Sequence, residues 1–204
     1  MDNTVQFNIQ SICDGHHKVT YRGVKSIRSP FDYLLYQMVI FNVKPDLIIE
    51  IGTNAGGGSL YLSDLQQMYG GGTIHTIDIT DMVKSELVLN NKNIVRFLGG
   101  YESYDLDNSL NYKKILVIDD GSHTYKDVKN SLNKFKDIVS KDSYFIIEDG
   151  ILNELGYSDY GGGPLKALEE FLGSNSDFFV DRDICDFFGK NATFNVNGYL
   201  KKLK

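Results

Sequence analysis

The stretch Leu47-Ile48-Ile49-Glu50-Ile51-Gly52-Thr53-Asn54-Ala55-Gly56-Gly57-Gly58-Ser59-Leu60 decides the fold class. A nearly continuous apolar run, then a glycine-rich turn, then helical spacing as far as Gln67 read as strand, turn and helix. Such a strand is buried on both faces, which is the habit of parallel sheets. The alternation continues downstream. Strand-like runs Thr73–Ile79, Asn93–Leu98, Ile115–Asp119 and Tyr144–Asp149 are interleaved with helical segments at 124–138 and 164–172. Weaker strands fall near Phe178–Asp181 and Thr193–Leu200. The pattern predicts an α/β fold, a mostly parallel sheet with helices on both faces. Right-handed crossovers bring the strand C-terminal ends to one edge, where open α/β sheets bind ligands.

Upstream, the spacing predicts one helix over Pro30–Asn42, with Ser29 as N-cap and Pro30 at the first helical position. Apolar side chains recur there at Phe31, Leu34, Leu35, Met38 and Val39, while Tyr21–Ser26 reads as irregular. Residues 1–44 are therefore expected to form a short N-terminal helical cap on a core spanning 45–204, within a single domain. The chain has 204 residues with 27 acidic and 21 basic side chains, so nucleic acid is not an expected partner. Apolar runs of a handful of residues fall far below the roughly 20 needed to span a bilayer, so no membrane partner is expected. The N-terminus lacks a secretory signal pattern. Cys13 and Cys185 form neither a disulfide framework nor a zinc spacing, and the expected location is the cytoplasm.

Chemistry collects at the strand ends. After the first strand, the dinucleotide fingerprint is absent because Asn54 occupies its second glycine position, and no Gly-Lys-Ser/Thr of a P-loop follows. An acidic residue at the strand end followed by G-x-x-x-G-G looks like the S-adenosyl-L-methionine site of class I methyltransferases. Glu50, Gly52, Thr53, Gly56 and Ser59 are the candidate cofactor residues there, at a helix N-terminus that favours an anionic group. Asp78 ends the second strand, where a carboxylate can accept both hydroxyls of a ribose. Ser103, after Gly99-Gly100, is a candidate for the adenine pocket, and Asp119 at the end of the fourth strand is a further cofactor candidate, with shaping of the strand end as the alternative.

The fourth and fifth strands end in Asp119-Asp120-Gly121-Ser122-His123 and Glu148-Asp149-Gly150. Adjacent parallel strands would bring Asp120, Glu148 and Asp149 together, and three close carboxylates raise one another's pKa. A divalent cation removes that penalty; oxygen ligands suit Mg²⁺, with Mn²⁺ or Ca²⁺ as alternatives. His123 follows Asp120 by three residues and is the candidate general base. His16, His17 and His75 have no such company and read as structural or surface residues.

Together, Tyr21-Arg22-Gly23, Ser29-Pro30-Phe31-Asp32, LIIEIGTNAGGGSL, IDDGSHTYKDV, YFIIEDG, GGGPLKALEEFL and Asn197-Gly198-Tyr199-Leu200 resemble the cephalosporin hydroxylase family, which includes rhamnosyl O-methyltransferases. The chain is also similar to macrocin-type sugar O-methyltransferases and, more distantly, to catechol O-methyltransferase. The resemblance implies a Rossmann-like class I methyltransferase fold and O-methylation of a small hydroxylated acceptor, a sugar of a natural product or surface glycan. It places Glu50, Gly52 and Gly56 around S-adenosyl-L-methionine, Asp78 on its ribose, Asp120, Glu148 and Asp149 on the cation, and His123 at the base position. Relatives commonly carry Gly-Gly-Ser where this chain has Gly56-Gly57-Gly58, so the methionine carboxylate is left to backbone N–H groups or Ser59. Relatives often self-associate, so a homo-oligomer stays among the expected partners. The loop from Gly150 to Gly163, with Tyr157 and Tyr160, is expected to be a mobile lid over the acceptor, and Tyr21, Arg22 and Asp32 the opposite wall. Two other readings stay open: a nicotinamide-dependent oxidoreductase and a non-catalytic module that binds S-adenosyl-L-methionine.

Overall fold

A computed structural model describes residues 2–204. In chain order it has α1 (Ile9–His16), β1 (Thr20–Tyr21), β2 (Val24–Lys25), α2 (Pro30–Val43), β3 (Leu47–Ile51), α3 (Gly57–Met68), β4 (Thr73–Asp78), α4 (Glu86–Leu89), β5 (Ile94–Leu98) and α5 (Gly100–Ser103). There follow β6 (Ile115–Asp119), α6 (Tyr125–Phe135), β7 (Tyr144–Ile147), α7 (Gly163–Ser174), β8 (Phe178–Val180), α8 (Arg182–Cys185) and β9 (Tyr199–Lys202). Seven strands form one sheet in the order β5-β4-β3-β6-β7-β9-β8. The pairs β5–β4, β4–β3, β3–β6 and β6–β7 are parallel, and β9 runs antiparallel between β7 and β8. The chain builds outward from β3 through β4 to β5, then returns to place β6 on the other side of β3. That reversal opens a crevice at the C-terminal ends of β3 and β6, the position where such sheets bind ligands.

Period-two alternation sorts the strand side chains onto two cores. Ile48, Leu116, Ile118, Tyr144 and Ile146 pack with Leu35, Tyr36 and Ile40 of α2 and Leu60, Leu62 and Leu65 of α3. Leu47, Ile49, Val117, Phe145 and Ile147 face the other way, against Leu132 and Phe135 of α6 and Leu168 and Phe171 of α7. β3 and β6 are buried along their whole length, as their apolar runs predict. α2 starts at Pro30 with the Ser29 side chain accepting from the Asp32 N–H, and it stops at a left-handed Lys44 before Pro45. This is the expected mostly parallel sheet with helices on both faces. Among the described residues no helix is long and apolar enough to cross a membrane.

Three expectations need correction. Tyr21–Ser26 is not irregular: β1 and β2 form a hairpin whose turn residues Arg22 and Gly23 have φ of 50° and 81°. Positive φ at both turn positions is what a two-residue hairpin of type I′ requires. An additional helix, α1, precedes it, held by a reciprocal capping pair between Asn8 and Ser11. The final strand lies at Tyr199–Lys202 rather than over 193–200, because the groups of Thr193 and Phe194 serve another purpose. They converge on Asp32, which is 1% exposed. Its carboxylate accepts from Ser29 and Thr193 hydroxyls, from the Phe194 N–H at 3.0 Å and from the Tyr199 hydroxyl at 2.8 Å. Asp32 is therefore a buried tie between α2 and the C-terminal segment, not a wall of the site. Burial raises its pKa, opposed by its hydroxyl donors.

Replacing Asp32 by alanine strands several buried donors at once. The expected loss of unfolding free energy is on the order of 3 kcal/mol or more. Urea denaturation of D32A checks this, and a midpoint equal to wild type contradicts the tie.

Candidate active site

Residues of the same parity at neighbouring strand tips emerge on the same face of the sheet. Ile51 pairs with Asp119 and Asp119 with Ile147, so Asp120 and Glu148 come next in register. Glu50, Asp120 and Glu148 all leave on the α2–α3 side. The three carboxylates meet a side chain the sequence reading did not single out. Arg28 Nη2 lies 2.6 Å from Glu148 Oε1, 3.4 Å from Asp120 Oδ2 and 4.0 Å from Glu50 Oε1. Its guanidinium stacks 4.5 Å from the Tyr36 ring centre, and the Tyr36 hydroxyl donates to Glu148 Oε1 at 2.6 Å. Burial works against charge on Arg28, but Glu148, Tyr36, Asp120 and Glu50 hold it well on the protonated side. Burial raises the Glu50 pKa despite Arg28, and burial together with Glu148 raises that of Asp120 well above the usual carboxylate range.

Glu148, the third residue of the expected ligand trio, is 4% exposed, and its Oε1 accepts from Arg28 and Tyr36. The group that does gather is Asp120, His123 and Asp149, whose ligand atoms lie within 4.8 Å of one another. His123 Nε2 is 3.3 Å from Asp149 Oδ2 and 3.8 Å from Asp120 Oδ1. Two backbone conformations make this possible. His123 and Asp149 have φ of 57° and 58°, in the left-handed region. At Asp149 this ends β7 and swings the side chain away from strand parity; Asp and His are among the residues that accept it most readily. Burial pushes the Asp149 carboxyl up to about 6, against the pull of His123 and with Glu148 and Asp32 adding to the rise.

Two cavities flank the crevice and share Gly52, Asn54, Asp120 and Gly121 as a common wall. The second, about 390 Å³, is lined by Ile77, Asp78, Met82, Tyr101, Glu102 and Asp119. Asp78 sits at the end of β4 as expected, accepting from the Asn54 N–H at 2.9 Å and the Thr80 N–H at 3.1 Å. The first cavity, about 340 Å³, is lined by Arg28, Glu50, Thr53, His123, Asp149 and Tyr160, among others. Gly52 has φ 100°, and a Cβ there would fall 2.0 Å from the Asp120 carbonyl oxygen, so only glycine lets β3 and β6 meet. Gly56, with φ 86°, makes the turn into α3.

Several expected residues face elsewhere. The Ser59 hydroxyl is fully buried, donating to Glu50 and lying 3.1 Å from Thr76 Oγ1. It braces Glu50 and does not reach either cavity. Thr53 Oγ1 likewise bonds Thr76 Oγ1 at 2.7 Å, although the residue lines the first cavity. Ser103 turns back onto the carbonyls of Gly100 and Leu98, at 2.9 Å and 3.3 Å, and lines neither cavity. Asp119, of opposite parity to Asp120, lines the second cavity while accepting from Ser131 and from the Gly121 N–H at 3.2 Å. Tyr21 and Arg22 bind Asp64 on the outer side of α3 and are not a wall of the site. The wall comes instead from α1: Cys13, His16 and His17 line the first cavity. Ile151 and Leu152 of the 150–163 loop are buried, and Leu155, Tyr157 and Tyr160 line the same cavity. His75 is structural, its Nδ1 2.7 Å from the Tyr104 hydroxyl and its pKa lowered to about 4 by burial.

A family model, Rhamnosyl O-methyltransferase/CmcI, matches residues 14–203. The chain belongs to this family. A rhamnosyl O-methyltransferase of Mycobacterium leprae is 24% identical over 223 residues, covering 93% of this chain and 90% of that protein. One from Mycobacterium tuberculosis H37Rv is 24% identical over 168 residues, covering 76% of this chain. The chain spans 66% of that relative's length. A solved structure of CmcI with Mg and SAM has a TM-score of 0.68 at 22% identity, covering 92% of this chain and 78% of that one. MycE, a methyltransferase from the mycinamycin biosynthetic pathway in complex with Mg and SAH, has a TM-score of 0.54 at 22% identity, covering 83% of this chain and 48% of that one. These likenesses show that the family member described here has their fold.

A carboxyl whose folded pKa is raised stabilises the protein below its unfolded value, near 3.8, and loses that contribution as pH rises through the folded value, near 6. In cation-free protein, the stability of D149N relative to wild type should therefore grow from about pH 4 to about pH 6.5, by up to roughly 3 kcal/mol, and then level off. Thermal melts of both proteins in EDTA across that range check it; a constant difference contradicts the buried, half-compensated Asp149.

Proposed function

We propose that this chain is a divalent-cation-dependent O-methyltransferase that moves the methyl group of S-adenosyl-L-methionine to a hydroxyl of a sugar. The observation that carries the reading is the seam between the two cavities. Gly52 and Asp120 border both spaces, and Asp120, His123 and Asp149 cluster there. Family membership and the rhamnosyl O-methyltransferase relatives support methyl transfer to a sugar.

The second cavity suits an adenosine: Ile77, Met82 and Tyr101 offer apolar surface, and Asp78 stands ready for ribose hydroxyls. The cluster fits a cation by its chemistry. Two carboxylates whose pKa values burial has raised form an oxygen donor set with an unmet need for positive charge. Asp120 and Asp149 would hold the ion, and when bound it supplies Lewis acidity that lowers the pKa of an acceptor hydroxyl. Glu148 stays with Arg28 in this assignment.

His123, which lines the first cavity, takes the proton of the acceptor hydroxyl. The oxygen lone pair then forms the bond to the methyl carbon as the carbon–sulfur bond breaks, leaving S-adenosylhomocysteine. Asp149, 3.3 Å from Nε2, orients the ring and stabilises it once protonated. Tyr157 and Tyr160 offer aromatic faces to the acceptor. Holding the reacting pair in line is the main contribution, worth about 7–11 kcal/mol in well-oriented cases.

The test is release of S-adenosylhomocysteine and methylation of rhamnosyl acceptors by the purified protein, with and without EDTA. Turnover should vanish on chelation and return with Mg²⁺. H123A should lose about 10²–10⁴-fold in kcat while its Mn²⁺ affinity, followed by paramagnetic titration, stays unchanged. Turnover unaffected by EDTA removes the cation, and a lost Mn²⁺ affinity in H123A makes the histidine a ligand rather than the base.

A further inference from the structure

α1 ends at His16, and its backbone stays helical through the cap residue His17, with φ of −61° and ψ of −18°. Cys13, His16 and His17 therefore stand in i, i+3 and i+4 relation and share one face of the helix. The fold places the Cys13 thiol and a ring nitrogen of each histidine within 4.8 Å of one another. His16 and His17 are thus not the isolated histidines that their sequence context suggests. Cys13 and His16 are buried and His17 is exposed, and all three line the first cavity.

His16 is held in the form that a metal ligand needs. Its Nδ1 meets the Cys13 carbonyl oxygen, which can only accept, so Nδ1 carries the proton and Nε2 keeps its lone pair. The ring is fixed from two sides, with its centre 4.1 Å from that of His17 and 5.1 Å from that of Phe194, which it meets edge-on. Burial disfavours its charged form, and a ligating imidazole must be neutral.

We propose that Cys13, His16 and His17 form a second metal site, which takes Zn²⁺. A thiolate with two imidazoles is a borderline-soft donor set that suits Zn²⁺ and not Mg²⁺, in contrast to the oxygen pair of Asp120 and Asp149. Binding forms a Zn–S bond and releases the thiol proton to solvent. Three protein ligands leave the fourth tetrahedral position to water or to an oxygen of a molecule in the first cavity. The ion would bring a chemically distinct cation to the cavity that His123 and Asp149 also line. The inference needs only α1 and this cavity, and it stands whether or not the methyl-transfer reading does.

Co²⁺ titration of the full chain in saturating Mg²⁺ reads thiolate ligation directly, as a sulfur-to-cobalt charge-transfer band in the near ultraviolet that oxygen ligands do not give. Wild type should develop the band with one equivalent of Co²⁺ and lose it on addition of Zn²⁺. C13S should show no band. H17A keeps the thiol and should need at least about tenfold more Co²⁺ for half the band, since even an outer-shell partner is worth roughly 10–100-fold in affinity. His17 is exposed, so H17A decides the matter if C13S fails to fold. No band in wild type, a band that persists in excess Zn²⁺ or survives C13S, or an H17A titration that matches wild type overturns the site.

Discussion

The Arg28 guanidinium sits between the tips of three strands, within 4.0 Å of Glu50, Asp120 and Glu148. Everything else at the crevice is arranged around this contact. Three carboxylates on one buried face repel strongly where the effective dielectric is low. A flat guanidinium offers donors in several directions from one charge, so it can engage Glu148 on two atoms and still reach Asp120. Tyr36 completes the arrangement from α2, stacking under the guanidinium and donating to Glu148. The balance is nonetheless incomplete, because one positive group faces three negative ones. Asp120 therefore stays at the crevice with its ionised form disfavoured, which is the state in which a second cation is most welcome.

The second constraint is backbone geometry. Regular strand continuation would carry Asp149 onto the side of the sheet away from Glu148, toward α6 and α7. The left-handed conformation at Asp149 breaks that parity, and a matching one at His123 turns the imidazole back to meet it. Each such conformation costs on the order of 1–2 kcal/mol for an L-residue. The surroundings hold it in place. The Asp149 N–H donates to Asn195 Oδ1 at 3.3 Å, and Gly150 passes so near Val196 that a Cβ would fall 2.6 Å from its carbonyl oxygen. The 193–199 segment is in turn tied by Thr193, Phe194 and Tyr199 to Asp32 at the start of α2. A continuous set of buried polar contacts thus runs from the N-cap of α2 to the acidic cluster. The strained pair is positioned by elements remote from it in sequence.

Much of the architecture was legible from local pattern. Doubly buried strands need apolar runs, and LIIEI, ILVID and YFII are such runs; helices need caps, and Ser29-Pro30 supplied one. The site was legible in composition but not in pairing. Glu50, Gly52, Asp78, Asp120, His123 and Asp149 were all identifiable from their places at strand ends. Strand parity, applied to the tips, would also have separated Asp119 from Asp120. Arg28 was missed because it sits in a hairpin exit with no repeating pattern, 92 residues from Asp120 and 120 from Glu148. Ser59 and Ser103 carry hydroxyls whose direction sequence does not set, because a hydroxyl has local backbone and side-chain partners to choose among. Helical spacing turned the first toward Glu50, and a tight turn folded the second onto Gly100.

The order of apolar runs and glycine turns by itself determined the doubly wound sheet and the edge where its chemistry gathers, because burial and handedness act on patterns a few residues long. Which carboxylate meets which positive group was decided only when distant segments packed. Charge acts through space, and the 28, 120 and 148 positions become neighbours only after α2 and the hairpin close over the strand tips. Tertiary structure thereby assigned Glu148 to Arg28 and left Asp120 and Asp149 facing His123.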